Sequence, residues 1–360
     1  MTDRAQTLAR AAGLRAVFEA AGAISVETPV LQPAHTLLDL YGEEIRARAY
    51  VTSDALRGEQ MLRPDFTVPV VQMHMAHGAE PARYTYSGEV FRRQEQDPDR
   101  ANEFIQVGFE VFDRTDPAAA DAEVFALIAG ALSPLRLRAA TGDIGVLMAA
   151  VEGLKTTAPR KAALMRHIWR PRRFRALLDR FSGRTSMSRT REALLAGDLP
   201  DADAPLSGRR SASEIKARIR TLREDAATDP LSTEEVRLLD ALLGVRETMP
   251  FALEQLRDLS VDLPQIAPAV ARVAARAEAL EARGIDVRSL PFETNFGRTS
   301  MEYYDGFVFG FFSPDRADLP AVATGGRYDA LTRRLGQGRE IPAVGGVLRP
   351  GLMLELEAAQ

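Results

Sequence analysis

Apolar positions first recur at helical spacing. Leu14, Val17, Phe18 and Ala21 form one stripe, and Gly22 is placed to end that helix. An extended ISVETPVLQP segment follows, broken by Pro29 and Pro33. Over residues 84–112 the period drops to two. YTYSGEVF and FIQVGFEVF are rich in aromatic and β-branched residues and read as a hairpin across the polar loop RRQEQDPDRANE. In the second strand Ile105, Val107, Phe109 and Val111 share an apolar face, while Gln106, Gly108 and Glu110 share the other. That second face is either the wall of a polar pocket or the solvated side of an antiparallel sheet.

Residues 118–285 read as mostly helical. Ser211 with Glu214 and Ser232 with Glu235 fit capping boxes. Ile266, Val270, Val273, Ala274, Ala277 and Leu280 make a stripe that Gly284 stops. GDLPDADAPLSGRR (197–210) reads as an exposed loop. β-character returns in MEYYDGFVFGFF (301–312). An extended strand there puts Tyr304, Gly306, Val308 and Gly310 on one face, Tyr303 and Phe307 on the other. ATGGRYDAL (323–331) reads as a Gly-rich turn entering a helix. Strands, then a helical block, then strands predict an α+β fold with one sheet assembled from both ends of the chain. The divisions are 1–150 and 286–360 for the core and 151–285 for a helical insertion.

Composition narrows the chemistry. The 360 residues include no cysteine, which excludes disulfides, thiolate metal sites and cysteine nucleophiles. Four histidines offer no zinc-binding HExxH pattern. His74 and His77 stand three apart without a third ligand, so no metal is expected. The formal net charge of −4 argues against a broad nucleic-acid face, although only three of the 46 basic residues are lysine. The run around Trp169, with Arg166, Arg170, Arg172, Arg173 and Arg175, reads as a solvated helix end, or otherwise as a subunit contact. No apolar stretch approaches a membrane span and the first residues lack a signal core, so a cytoplasmic protein is expected.

Four segments in order resemble histidyl-tRNA synthetase, a class II aminoacyl-tRNA synthetase. MLRPDFT (61–67) resembles the family's LRPEGT. FRRQEQDPDRANEFIQVGFEVF (91–112) resembles its motif 2 with the following strand. MEYYDGFVFGFF resembles RGLDYYTGxVFE. ATGGRYDAL and IPAVGGVL resemble AGGRYDxL and the start of motif 3, PAVGFAxGxER. The resemblance implies a class II-type antiparallel sheet flanked by helices, with a helical insertion. It also implies a histidine pocket at the positions matching the family's ligands: Asp65, Thr67, Gln106, Glu110 and Tyr304. There Asp65 takes the ligand's ammonium group, Glu110 accepts an imidazole N–H and Tyr304 meets the other end of the ring.

The departures from the family concern catalysis. Arg92 keeps the motif 2 arginine, but Gln94 replaces its glutamate. Thr299 stands at the arginine of RGLDYY, with Arg298 beside it. Gly351 and Leu352 replace the Glu-Arg of motif 3, and Arg349 lies three positions early. Each lost cationic donor costs on the order of 100- to 1000-fold in stabilising developing phosphate charge. Amino-acid activation is therefore expected to be absent, leaving Arg92 and Arg327 as candidate vestigial phosphate contacts. Eight residues follow Leu352, which leaves no room for an anticodon-binding domain, so no tRNA is expected.

A synthetase core so depleted resembles the regulatory subunits of ATP phosphoribosyltransferase. That resemblance implies a non-catalytic chain without a cofactor. It implies a dimer assembled with a short-form catalytic subunit, activating it in histidine biosynthesis and contributing to feedback inhibition by histidine. Two other readings remain at this point. One is a truncated synthetase paralogue that still activates histidine with ATP. The other is a scaffold with a vestigial pocket.

Overall fold

The computed structural model describes residues 3–41, 45–94, 100–197, 211–298 and 303–358. Among these, twelve strands form a nine-stranded sheet and a three-stranded one. The large sheet runs in the order Ile24–Ser25, Ala82–Phe91, Glu103–Phe112, Ala343–Leu348, Ala323–Arg327, Phe307–Phe312, Arg138–Asp143, Pro291–Glu293, Arg246–Thr248. Its pairings are antiparallel except those of Ile24–Ser25 with Ala82–Phe91 and of Arg138–Asp143 with Pro291–Glu293. The two ends of the chain therefore meet in mid-sheet, where Glu103–Phe112 pairs with Ala343–Leu348.

The register sorts the side chains. Glu110 lies opposite Tyr84 on one side and Gly345 on the other, and Gly345 lies opposite Gly326. Paired residues project to the same face. Tyr84, Tyr86, Gln106, Gly108, Glu110, Gly345, Val347 and Gly326 thus share one surface of the sheet. The opposite surface carries the apolar set of the hairpin. There Phe109 stacks on Phe18 at 5.1 Å, from the helix Arg4–Ala20, and Phe309 meets Phe125 at 5.3 Å, from the helix Pro117–Ala131. Helices cover this side because it is apolar, and both faces of the hairpin are buried, so neither is a solvated side.

The helical insertion packs back onto the core. Both expected capping boxes form, at Ser211 with Glu214 and Ser232 with Glu235. The predicted stripe becomes the helix Ala267–Ala282, which lies along Pro117–Ala131. The contact encloses charge. Arg276 bridges Asp121 at 2.7 Å and Asp143 at 2.9 Å, and Asp121 also takes Arg327 at 2.6 Å. All four side chains are buried, so each charge depends on its partners. The loop 197–210 lies outside the described residues beyond Gly197. No helix among the described residues is long and apolar enough to cross a membrane.

Several expectations are corrected. Residues 323–327 form a strand, not a turn, because neighbours on both sides take up its backbone hydrogen bonds. Arg138–Asp143 is a strand inside the block read as helical. RAATGD carries no alternation to announce it, and pairing with Phe307–Phe312 decides its state. The strand expected from residue 301 begins only at Phe307, with Tyr303 in a turn, Gly306 in a bend and irregular backbone between them. His74, paired in the sequence with His77, is enclosed: it stacks on Phe112 at 4.0 Å and shares a hydrogen bond with the Tyr84 hydroxyl.

Candidate functional site

The polar face of the sheet borders a cavity of about 120 Å³. Asp65, Thr67, Arg92, Gln106 and Tyr304 line it, joined by Tyr303, Thr324 and Arg349, with Gly345 to Val347 as part of its wall. Of the seven residues expected at a site, five meet here.

Asp65 and Thr67 come from the turn that enters the helix Thr67–His77. The Asp65 carboxylate accepts from the Val68 amide, fixing the turn. Arg63 holds the turn from behind: its guanidinium donates to the main-chain oxygens of Glu89 and Thr28 and lies 3.9 Å from the Phe66 ring centroid. Gln106 projects from the hairpin into the cavity. It is fully buried, yet neither its amide oxygen nor its nitrogen has a hydrogen-bond partner. A buried amide without partners costs free energy that a ligand returns when it hydrogen-bonds there.

Glu110 is not part of the cavity lining. Its carboxylate is fully buried one layer deeper, where Thr67 Oγ1 donates to Oε1 at 3.0 Å, Tyr86 to Oε1 at 2.7 Å and Tyr328 to Oε2 at 2.6 Å. The three hydroxyls fill three of the carboxylate's roughly four acceptor positions, and the group stands behind the cavity lining, not in it where the expectation of a direct imidazole contact placed it. Glu110 reaches the cavity through Thr67. Burial dominates its titration and pushes its pKa up to about 7, against the three hydrogen bonds and with help from the like charge of Asp65. Two glycines make the arrangement possible. A Cβ on Gly108 would strike the Tyr86 ring, and one on Gly345 would stand 1.4 Å from Glu110 Oε2.

Tyr304 lies over Gly326, and its hydroxyl is pushed up from the usual phenol pKa by burial and then by Glu110. It enters from the turn before Phe307, not from a strand face. Trp169, in the insertion, donates from its indole to the Tyr304 main-chain oxygen at 3.1 Å, tying insertion to cavity.

The two arginines expected as phosphate contacts separate. Arg92 lines the cavity, with its Nε donating to the Pro64 oxygen at 2.6 Å. Arg327 does not. Gly326 faces the cavity, so its strand neighbour Arg327 points to the other side, where it binds Asp121 and Asp329. Arg349 takes a place there instead. Counting by twos from Gly345 through Val347 puts it on the cavity face at the strand's end. Leu352, at the family's arginine position, packs on the apolar core. Arg298 is buried, donating to the Ile168 oxygen and to Asn295, and does not line the cavity, while Thr299 lies outside the described residues. Tyr86, Tyr328, Thr324 and Tyr303 were not predicted. For Tyr86 the signal was available, since Tyr86 shares the polar face once the hairpin register is known.

The chain matches a family model described as histidyl-tRNA synthetase over residues 2–224 and 211–350. It is 32% identical to an ATP phosphoribosyltransferase regulatory subunit of Brucella anthropi, across 92% of this chain and 93% of the relative. A protein of the same name from Brucella ovis is 30% identical with the same coverage. Among solved structures, an ATP phosphoribosyltransferase regulatory subunit/histidyl-tRNA synthetase from Bacillus halodurans is similar with TM-score 0.69 at 23% identity, covering 99% of this chain and 81% of that one. A histidyl-tRNA synthetase from Nostoc sp. gives TM-score 0.65 at 18% identity, covering 98% and 72%. The structural likenesses support the class II synthetase fold. With the sequence relatives, they place the chain: it belongs to the histidyl-tRNA synthetase-like family, among the ATP phosphoribosyltransferase regulatory subunits.

Proposed function

We propose that this chain is a non-catalytic subunit that activates a short-form ATP phosphoribosyltransferase catalytic subunit and makes it responsive to histidine. The observation that carries the histidine part is the Gln106 amide, fully buried and without partners in a cavity that Asp65 also lines. Asp65 takes the ammonium group of histidine. Gln106 and the Tyr304 hydroxyl hydrogen-bond the ligand, and Glu110 acts at one remove, orienting the Thr67 hydroxyl. A cavity of about 120 Å³ is close in size to engineered cavities of about 150 Å³ that hold a benzene-sized ring, and so suits the imidazole ring. Coupling between histidine and catalysis amounts to about 1–3 kcal/mol. The chain acts as a dimer. Exposed Ile24, Leu31 and Val51, on the sheet edge and the small sheet, supply apolar surface for such contacts. It does not use tRNA.

The test is phosphoribosyltransferase activity of the short catalytic subunit from the same source, alone, with this chain, and with histidine added. The expected result is activation by the chain and reversal by histidine. No change on adding the folded chain refutes the subunit assignment. Activation that histidine leaves untouched refutes the effector assignment.

Arg92 and Arg349 favour one second reading, because positive charge persists beside the cavity: a paralogue that forms histidyl-adenylate. ATP–pyrophosphate exchange dependent on histidine would establish it.

A further inference from the structure

Arg92 and Arg349 form a pair of cations at the cavity. Both line the cavity, and both guanidiniums lie against the same ring, 5.8 and 5.9 Å from the Phe104 centroid. Their hydrogen bonds go only to main-chain oxygens, of Pro64 and Ala321, and among the described residues neither has a carboxylate partner. They differ in this from the buried Arg160, Arg276 and Arg327, which each hold an aspartate, and differ from the buried Arg63 and Arg298, which also meet only neutral oxygens, in bordering a cavity. Half-buried guanidiniums with no carboxylate partner among the described residues are maintained at a cost that an anion offsets. Burial, with Arg92 and then Arg100 as like charges, pushes the Arg349 pKa down to about 9. Asp65 contributes the opposite charge to the same cavity, and the unpartnered Gln106 amide shows that the space is built for a polar occupant.

We propose that Arg349, backed by Arg92, reads the carboxylate of the ligand, so that the cavity selects a free α-amino acid over analogues lacking that group. The inference deepens the histidine-effector reading and rests on it. Arg349 stands at the end of the strand Ala343–Leu348, outside the motif 3 position that Leu352 occupies. A guanidinium at the strand end thus borders the cavity while the motif 3 position holds an apolar side chain. A planar guanidinium can bind a carboxylate through two parallel N–H···O bonds, which an alcohol cannot accept.

The experiment is calorimetric titration of the full chain with histidine, with histidinol, whose primary alcohol replaces the carboxylate, and with inorganic phosphate. Wild type, Arg349→Met and Arg349→Lys are compared. Melting curves and Trp169 emission confirm folding, and the lysine variant keeps a charge if the methionine variant fails to fold. Wild type is expected to bind histidine about tenfold or more tighter than histidinol. Arg349→Met brings the two within about threefold of each other, by losing affinity for histidine and not for histidinol, and Arg349→Lys falls between. Wild type that binds both ligands equally, or a methionine variant that keeps the preference, overturns this inference and leaves the effector reading intact. Wild type that binds neither overturns the effector reading and this one with it. Phosphate binding as tight as histidine, and lost in Arg349→Met, reassigns the cations to a phosphate and also overturns it.

Discussion

The indole of Trp169 donates to the main-chain oxygen of Tyr304 across 3.1 Å, joining the helical insertion to the cavity wall. Trp169 is the chain's one tryptophan, so its emission reports on this contact alone. Titrating histidine into wild type should shift the emission in step with calorimetric binding. Trp169→Phe removes the hydrogen bond, costing about 1 kcal/mol, and should weaken histidine binding by a comparable amount without blocking the cavity. Unchanged affinity in that variant means the insertion does not support the site.

Glu110 predicts a pH signature. Its folded pKa of about 7 lies above its ordinary value of 4.5. The native state therefore holds a proton that the unfolded state has released. The associated stability is fully present below about pH 4.5 and is lost as pH rises through 7. Glu110→Gln keeps the neutral form at every pH. Its stability relative to wild type should rise between pH 5 and 8, read by urea denaturation at each pH, where a constant difference would contradict the assignment. The same variant should weaken histidine binding through Thr67, by less than the loss in Asp65→Ala.

His74 predicts the opposite slope. Burial pushes its pKa below the ordinary value of 6.5, with Glu80 opposing and Arg339 adding. The unfolded chain binds a proton that the folded chain resists, so stability falls as pH drops through about 6.5. Phenylalanine can preserve the stacking on Phe112. His74→Phe should flatten this acid-side loss while giving up the hydrogen bond to Tyr84. Comparing each variant with wild type over the same pH series separates the two groups.

Asp121 receives both Arg276 and Arg327 in the interior. Asp121→Ala takes the shared carboxylate from two buried guanidiniums, leaving Arg276 only Asp143 and Arg327 only Asp329, and should cost about 3–5 kcal/mol in chemical denaturation. The loss should far exceed that of removing the exposed pair Arg237–Glu234, whose charges water screens.

Gly345→Ala tests the packing of the site. The added methyl would occupy the position of Glu110 Oε2 and press on the Phe109 oxygen at 3.0 Å. A carboxylate held by three hydroxyls cannot move aside freely. A loss of about 1–3 kcal/mol is expected in urea denaturation, together with loss of histidine binding by calorimetry. A variant as stable as wild type would show that Glu110 has another position available.

The sequence by itself determined what depends on local geometry. Alternation separates Ile105, Val107, Phe109 and Val111 from Gln106, Gly108 and Glu110, because a strand turns successive side chains to opposite faces whatever surrounds it. The caps at Ser211 and Ser232 are local for the same reason: the hydrogen bonds close within four residues. Motif order pointed to Asp65, Thr67, Gln106 and Tyr304, which meet at the cavity. Only the tertiary structure decided the rest. Arg327 is one residue from Gly326 and Arg349 is four from Gly345, and which of them faces the cavity follows from cross-strand register. The sealing of Glu110 takes hydroxyls from residues 67, 86 and 328, distant in the chain and brought together by strand pairing and by the helix Thr67–His77 packed on the sheet. RAATGD became a strand because its neighbours supplied hydrogen bonds, a condition no local pattern contains.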